Sequence, residues 1–237
     1  IRETIADREL ETWMLIDRSP RLDFGTASCE KRDLVLAASA GVGLLTAKGA
    51  NRVGAMLLRG DDLTPGPPRQ GRRNLLAILD RVLATPRQDG AGTADLGKGL
   101  RQVGAMAPRR GLVVVISDFL TDPDTWRMAL GSVALRHSVL CVQVVDPRDL
   151  ELPPVGVLHF VDPATGATRE VNTDDKALRS RYADAAGRQH AAIAAAIRSG
   201  GSDHVVLRTD GDWLLELARH VTRRRHRAEM TAGRRTR

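Results

Sequence analysis

Long apolar runs are missing from this chain. No stretch approaches the roughly eighteen uncharged apolar residues that a membrane-crossing helix needs, which excludes such a helix. Cysteine is scarce: Cys29 and Cys141 are the pair present, too few and too far apart for a disulfide framework or a zinc site. Their thiols suit a reducing cytosol, and both are expected to be small buried fillers. The opening segment IRETIADRELETWML lacks a basic start followed by an apolar block, so no signal peptide is expected. Residue 1 is not Met, and the first strand is expected within a dozen residues, as in a fragment whose upstream region is missing. HExxH, GxSxG and clustered Cys/His motifs are absent, and the six histidines are scattered.

What is present is the composition of a folded protein. The 237 residues are 42% apolar and 27% charged, enough for one sizeable core and incompatible with wholesale disorder. The net charge of +7 is a property of one end. The last nineteen residues, RHVTRRRHRAEMTAGRRTR, hold eight arginines and one glutamate, leaving 28 basic against 28 acidic residues elsewhere. A nucleic-acid-binding domain would show a basic face on its fold. The tail itself is read as a solvated terminus, with contact to nucleic acid, anionic lipid or an acidic partner as the alternative.

Apolar strands alternate with segments of helical period. Trp13–Ile16, Val53–Leu58, Leu112–Ile116, Val139–Val145 and His204–Leu207 read as strands. The 112–116 run is β-branched and uncharged, as in strands covered on both faces. Helical spacing recurs over Leu34–Leu45, Leu75–Leu83, Leu96–Ala107, Trp126–Val133, Leu178–Ile197 and Trp213–Val221. Residues 157–171 hold two extended runs around Asp162-Pro-Ala-Thr-Gly166, a hairpin signal. TPGPPRQG, at 64–71, is too short to be an interdomain linker. The expected fold is therefore α/β: a doubly wound, mostly parallel sheet with helices on both faces and a β-hairpin insertion. One domain is expected over 1–222, with a basic tail at 223–237.

Ligands of such sheets bind beyond the carboxyl ends of the strands. That directs attention to Asp17-Arg-Ser-Pro-Arg21, Ser117-Asp118-Phe119 and Asp146-Pro147. Gly92-Thr-Ala-Asp-Leu-Gly97-Lys98-Gly99 nearly matches a phosphate-binding loop. It fails because Gly99 stands where Ser or Thr must hold magnesium, and because no strand precedes it. Thr93 is instead expected to cap the following helix or to point into a site. An aspartyl-phosphate enzyme would need a second Asp at position 19, where Ser19 stands. The remaining set, Asp17, Ser19, Thr93 and Asp118, consists of hard oxygen donors of the kind Mg²⁺ prefers.

That spacing resembles the metal-ion-dependent adhesion site of von Willebrand factor A-like domains, patterned DxSxS, then Thr, then Asp. More closely, the chain is similar to bacterial domain-of-unknown-function family 58. The similarity runs through LIDRSPRLDFG, Lys31, RVGAMLL, Thr93-Ala-Asp-Leu96, VVVISDF, Arg136-His137, VVDPRDLELPPVG and VDPATG. The resemblance implies a non-enzymatic protein-interaction role with a MoxR-type AAA+ ATPase, in chaperone-like assembly or metal insertion. A cytoplasmic location is expected from the free thiols, with membrane association through an upstream region or a partner left open. The resemblance also implies Mg²⁺ held at Asp17, Ser19, Thr93 and Asp118, and completed by a partner carboxylate.

Arg21 departs from the pattern, which asks for a second serine there. A guanidinium cannot be a ligand. Either Arg21 turns outward and a weakened Mg²⁺ site survives, or it folds in and neutralises Asp17 and Asp118 itself. The same carboxylates could instead serve a Mg²⁺-dependent phosphoester hydrolase, although the sequence offers no nucleophile with a neighbouring base.

Overall fold

The computed structural model describes residues 10–47, 49–87, 93–161, 166–220 and 222. Among the described residues, eight strands and five main helices follow one another: β1 (Glu11–Asp17), α1 (Lys31–Thr46), β2 (Arg52–Arg59), β3 (Asp62–Gln70), α2 (Arg72–Ala84), α3 (Leu96–Met106), β4 (Leu112–Ser117), α4 (Arg127–Ala134), β5 (Ser138–Val145), β6 (Val157–Val161), β7 (Thr168–Asn172), α5 (Lys176–Ser199) and β8 (Asp203–Arg208). A last helix covers 213–220. The basic tail lies outside the described residues.

Six strands form one sheet in the order β3-β2-β1-β4-β5-β8, all parallel except β3, which pairs antiparallel with β2. Successive side chains of a strand point to opposite faces, and the two cores show this directly. Trp13, Leu15, Val113, Val115, Val139 and Cys141 face Leu96, Leu100, Val103, Leu130 and Ile193 of α3, α4 and α5. Met14, Ile16, Val114, Ile116, Leu140 and Val142 face Leu34, Val35, Ala38 and Ile78 of α1 and α2. Because both faces are covered, the strands read as continuous apolar runs. Each fully buried Leu or Val contributes roughly 1.5–3 kcal/mol from desolvation.

The TPGPPRQG stretch is neither linker nor loop. It is most of β3, an edge strand with Pro65, Pro67 and Pro68 in it, and the register slips where it passes Gly54. Proline lacks the donor a central strand needs, so it is confined to such edges and bulges. The hairpin appears as expected, with β6 and β7 antiparallel from Val157↔Asn172 to Val161↔Thr168. Most of its Asp162–Gly166 connection lies outside the described residues.

Topology fixes where a site can form. From β1 the chain steps out through β2 and β3, then returns to β4 on the other flank of β1. Strand order therefore reverses between β1 and β4, which pair from Thr12↔Leu112 to Ile16↔Ile116. The crevice beyond such a reversal is where doubly wound sheets bind ligands. Asp17 ends β1, and Asp118 follows β4 directly. The near-match to a phosphate-binding loop falls in α3, where its glycines serve packing. A Cβ on Gly99 would lie 2.9 Å from Leu15 Cδ1, and one on Gly97 would lie 2.4 Å from the Thr125 carbonyl oxygen.

Candidate functional site at the carboxyl edge of the sheet

Asp17 is buried at the end of β1. Its Oδ1 accepts the Ser19 amide at 2.8 Å, and its Oδ2 accepts the Ser117 hydroxyl at 2.6 Å. The first bond closes a turn that carries the chain out of the strand. The second ties β1 to β4 across the reversal. Burial, with the Asp118 charge adding to it, pushes the Asp17 carboxyl up to about 6. The neighbouring hydroxyls and the Ser19 amide pull the other way but do not prevail. Ser19 is itself buried, and its hydroxyl, though near enough to favour a charged Asp17, meets no partner in hydrogen-bond geometry.

Asp118 is held by an unusual turn. Phe119 has φ of 57°, left-handed for a residue with a side chain, a conformation that costs energy unless the surroundings enforce it. Those surroundings are its burial and an edge-to-face contact with Trp126, centroids 5.5 Å apart. The Phe119 amide also donates to Ser117 Oγ at 3.1 Å, and the Leu120 amide donates to Asp118 Oδ1 at 3.1 Å.

The partner of Asp118 is Lys31, the first residue of α1. Its Nζ lies 3.2 Å from Asp118 Oδ2 and 3.3 and 3.2 Å from the two oxygens of Asp149, over the ring of Phe24 at 5.9 Å. Lys31 is 2% exposed. Burial alone would lower its pKa, but the two carboxylates outweigh that and raise it, so the ammonium stays charged. Asp149 belongs to a short turn at Pro147–Asp149, where it and Asp146 cap each other. Asp146 is fully buried and accepts the Thr26 amide and hydroxyl at 2.8 and 2.6 Å, the Thr209 hydroxyl at 2.8 Å and the Arg148 amide at 2.9 Å. It thus pins the β1–α1 loop to the ends of β5 and β8.

The sequence-expected residues divide accordingly. Asp17, Ser19 and Asp118 meet at the strand reversal. Thr93 is exposed, and the cap of α3 is Asp95, whose carboxylate accepts the Lys98 amide at 2.8 Å. Thr93 is therefore not that helix's cap. Arg21 does not fold in on Asp17 or Asp118. It is half-buried in a 3-10 turn and makes no ion pair among the described residues, while Lys31 takes the place at Asp118 that the inward reading gave it. Asp23 pairs with Arg32 at 2.9 Å. Cys141 is buried as expected, but Cys29 is half-buried.

Lys31 and Asp149 carry this edge with Ser117, and while Ser117 is marked by its place after an apolar strand, composition and spacing do not single out the other two. One signal existed: Lys31 falls in phase with Leu34, Val35, Ala38 and Val42 on the buried face of α1. A lysine on an apolar stripe needs a buried counter-charge.

The fit to a divalent ion is poor. Among the described residues no group of three or more His, Cys, Asp or Glu is placed to hold one. An ammonium already sits on Asp118, Asp17 receives an amide and a hydroxyl, and Arg21 replaces one oxygen donor. The unpartnered Ser19 hydroxyl is the one feature that favours an ion.

Comparison with known proteins establishes the family and the fold. A family model described as "Protein of unknown function DUF58" matches residues 1–192. The Mycobacterium bovis protein named "Uncharacterized protein Mb1516" is 43% identical over 228 residues, covering 96% of this chain and 71% of the relative. Among solved structures, an aerotolerance-related membrane protein of Bacteroides fragilis aligns over 90% of this chain and 99% of its own, with a TM-score of 0.57 at 13% identity. The SpRpn10 VWA domain aligns over 89% and 94%, with a TM-score of 0.51 at 15% identity. At such identities the likeness concerns fold alone, and the fold is the Rossmann-like one of von Willebrand factor A domains.

Proposed function

This chain belongs to the DUF58 family, and from that premise we propose that it is a non-enzymatic protein-interaction module that works with a MoxR-type AAA+ ATPase in chaperone-like assembly or metal insertion. The contact surface is the carboxyl edge of the sheet. The observation that carries this reading is the convergence of the β1–α1 and β4–α4 loops at the strand reversal, braced from beneath by Lys31 and Asp146. Rigid loops on a sheet edge present a fixed surface at low entropic cost. Arg21, half-buried with no ion pair among the described residues, offers a planar two-pronged donor to an acidic partner side chain.

A hydrolase reading has less to support it. Ser117 and Asp17 do form a hydroxyl–carboxylate pair, a combination that can activate a nucleophile. The Ser117 hydroxyl is buried, however, donates to Asp17 and accepts the Phe119 amide, so no substrate can approach it in this conformation.

Calorimetric titration of the chain with the purified ATPase tests the interaction reading. Thr93→Ala and Asp118→Ala are expected to weaken binding, and circular dichroism checks that Asp118→Ala, which leaves the buried Lys31 with Asp149 alone, still folds. Thr93 is exposed, so its replacement leaves stability unchanged and isolates the surface effect. Unchanged binding in both folded variants overturns the reading.

A further inference from the structure

The carboxyl edge carries its own positive charge, and this deepens the interaction reading above by stating how that site is charged. Lys31 Nζ stands within hydrogen-bond distance of three carboxylate oxygens, Asp118 Oδ2 and both oxygens of Asp149. An ammonium has three donors and no acceptor, so three acceptor oxygens can take all of its protons. The side chain is 2% exposed, and Asp118 is 3% exposed. No solvent is therefore needed to complete the cluster.

The same carboxylate, Asp118, is one that a divalent ion would have to use. Its second oxygen receives the Leu120 amide, and the neighbouring Asp17 receives the Ser19 amide and the Ser117 hydroxyl. An ion placed among these groups would meet a buried like charge with little water to screen it. One of the expected oxygen donors is also gone, since Arg21 stands in its place.

We propose that Lys31 is the resident cation of this edge: its ammonium occupies the role of the divalent ion of adhesion-type sites, and the chain engages its partner without metal. The fixed ammonium offsets one of the two negative charges of Asp118 and Asp149 and binds both carboxylates at all times, so partner binding is not gated by ion concentration. A partner carboxylate is met by Arg21 at the rim rather than by an ion.

The test is calorimetric titration of MgCl₂ and of MnCl₂ into the wild-type chain and into Lys31→Met. The wild-type chain is expected to show no saturable binding at millimolar ion. Lys31→Met, with Asp118 and Asp149 released, is expected to acquire it. Should that single change fail to fold, Lys31→Met with Asp149→Asn removes one of the two carboxylates left unpaired and serves as the second variant. Saturable binding by the wild-type chain that disappears in Asp118→Ala overturns the proposal, and this arm needs no Lys31 variant. A folded Lys31 variant that still ignores both ions also overturns it, since the ammonium would then be standing in for nothing.

A separate arm measures binding to nucleotide-free ATPase in MgCl₂ and in EDTA. Equal affinity in the two supports the proposal, and loss in EDTA overturns it. Absence of binding in both refutes the interaction reading alone, while the ion titration still decides the role of Lys31.

Discussion

Replacing Asp146 by Ala should loosen the loop that carries Ser19 and Arg21 while leaving the sheet in place. The magnitude follows from what the carboxylate accepts. Thr209 is 1% exposed, so its hydroxyl would be left buried without an acceptor, a loss of about 1–3 kcal/mol. Thr26 is exposed, and water would replace the carboxylate there, so its two bonds contribute less, about 0.5–1 kcal/mol each. The total is about 3 kcal/mol, which for a chain of this size lowers the melting temperature by roughly 6–12 °C. Urea unfolding should show a lower midpoint at unchanged m-value. The pH dependence carries a sign that can be worked out. Burial would raise the Asp146 pKa, but the hydrogen bonds from Thr26, Arg148 and Thr209 outweigh it and hold it below the ordinary carboxylate value. A depressed folded pKa gives stability that is present above the unfolded value and lost as pH falls through the folded one. The gap between wild type and Asp146→Ala should therefore be widest near neutrality and narrow in acid. A double-mutant cycle with Thr209→Val should return a coupling of about 1 kcal/mol or more. A cycle that sums to zero, or a gap that widens in acid, refutes the reasoning.

Two further outcomes can be checked on the same instruments. Asp17, raised to about 6, contributes stability that is complete below the ordinary value of 3.8 and is lost as pH rises toward 6; Asp17→Asn should flatten that slope in unfolding measured from pH 4 to 7, and an unchanged slope would show that its titration is not linked to folding. A Cβ on Gly43 would come within 2.2 Å of Leu75 Cδ1, so Gly43→Ala should cost about 1–3 kcal/mol by overpacking the α1–α2 contact, less up to about 1 kcal/mol of gained helix propensity; a net gain in urea midpoint would show that Leu75 can swing aside.

The regions of the fold written as periodicity were legible. An uncharged β-branched run at 112–116 has few homes other than the middle of a covered parallel sheet, and β4 is there. The alanine-rich spacing from Leu178 to Ile197 became α5 because Ala186, Ile193 and Ile197 fall on one buried face. β3 was not legible, since Pro65, Pro67 and Pro68 suppress every strand signal and only the tertiary edge position makes them harmless. The candidate site was half legible. Asp17 and Asp118 announce themselves by following apolar strands. The counter-charge of Asp118 lies 87 residues away on another element, and no local pattern pairs Lys31 with it. Thr93 was drawn toward a capping role by its hydroxyl, but Asp95, two residues nearer α3, accepts the Lys98 amide and fills it.

The proline-bearing edge strand also bears on how copies of this chain behave at high concentration. A sheet margin usually invites another strand, because its outward amides and carbonyls are unspent. Along β3, positions 65, 67 and 68 have no amide hydrogen to lend, and the register slip opposite Val53 and Ala55 bends the margin away from a flat template. Recruitment of a foreign strand on that side, whether in a fibre or by β-augmentation, would find no donor wherever a proline nitrogen faces outward. That margin is poorly suited to strand addition by its own covalent structure, and on the interaction reading proposed above recognition is left to the loops at the strand ends, where side chains rather than backbone would make the selection.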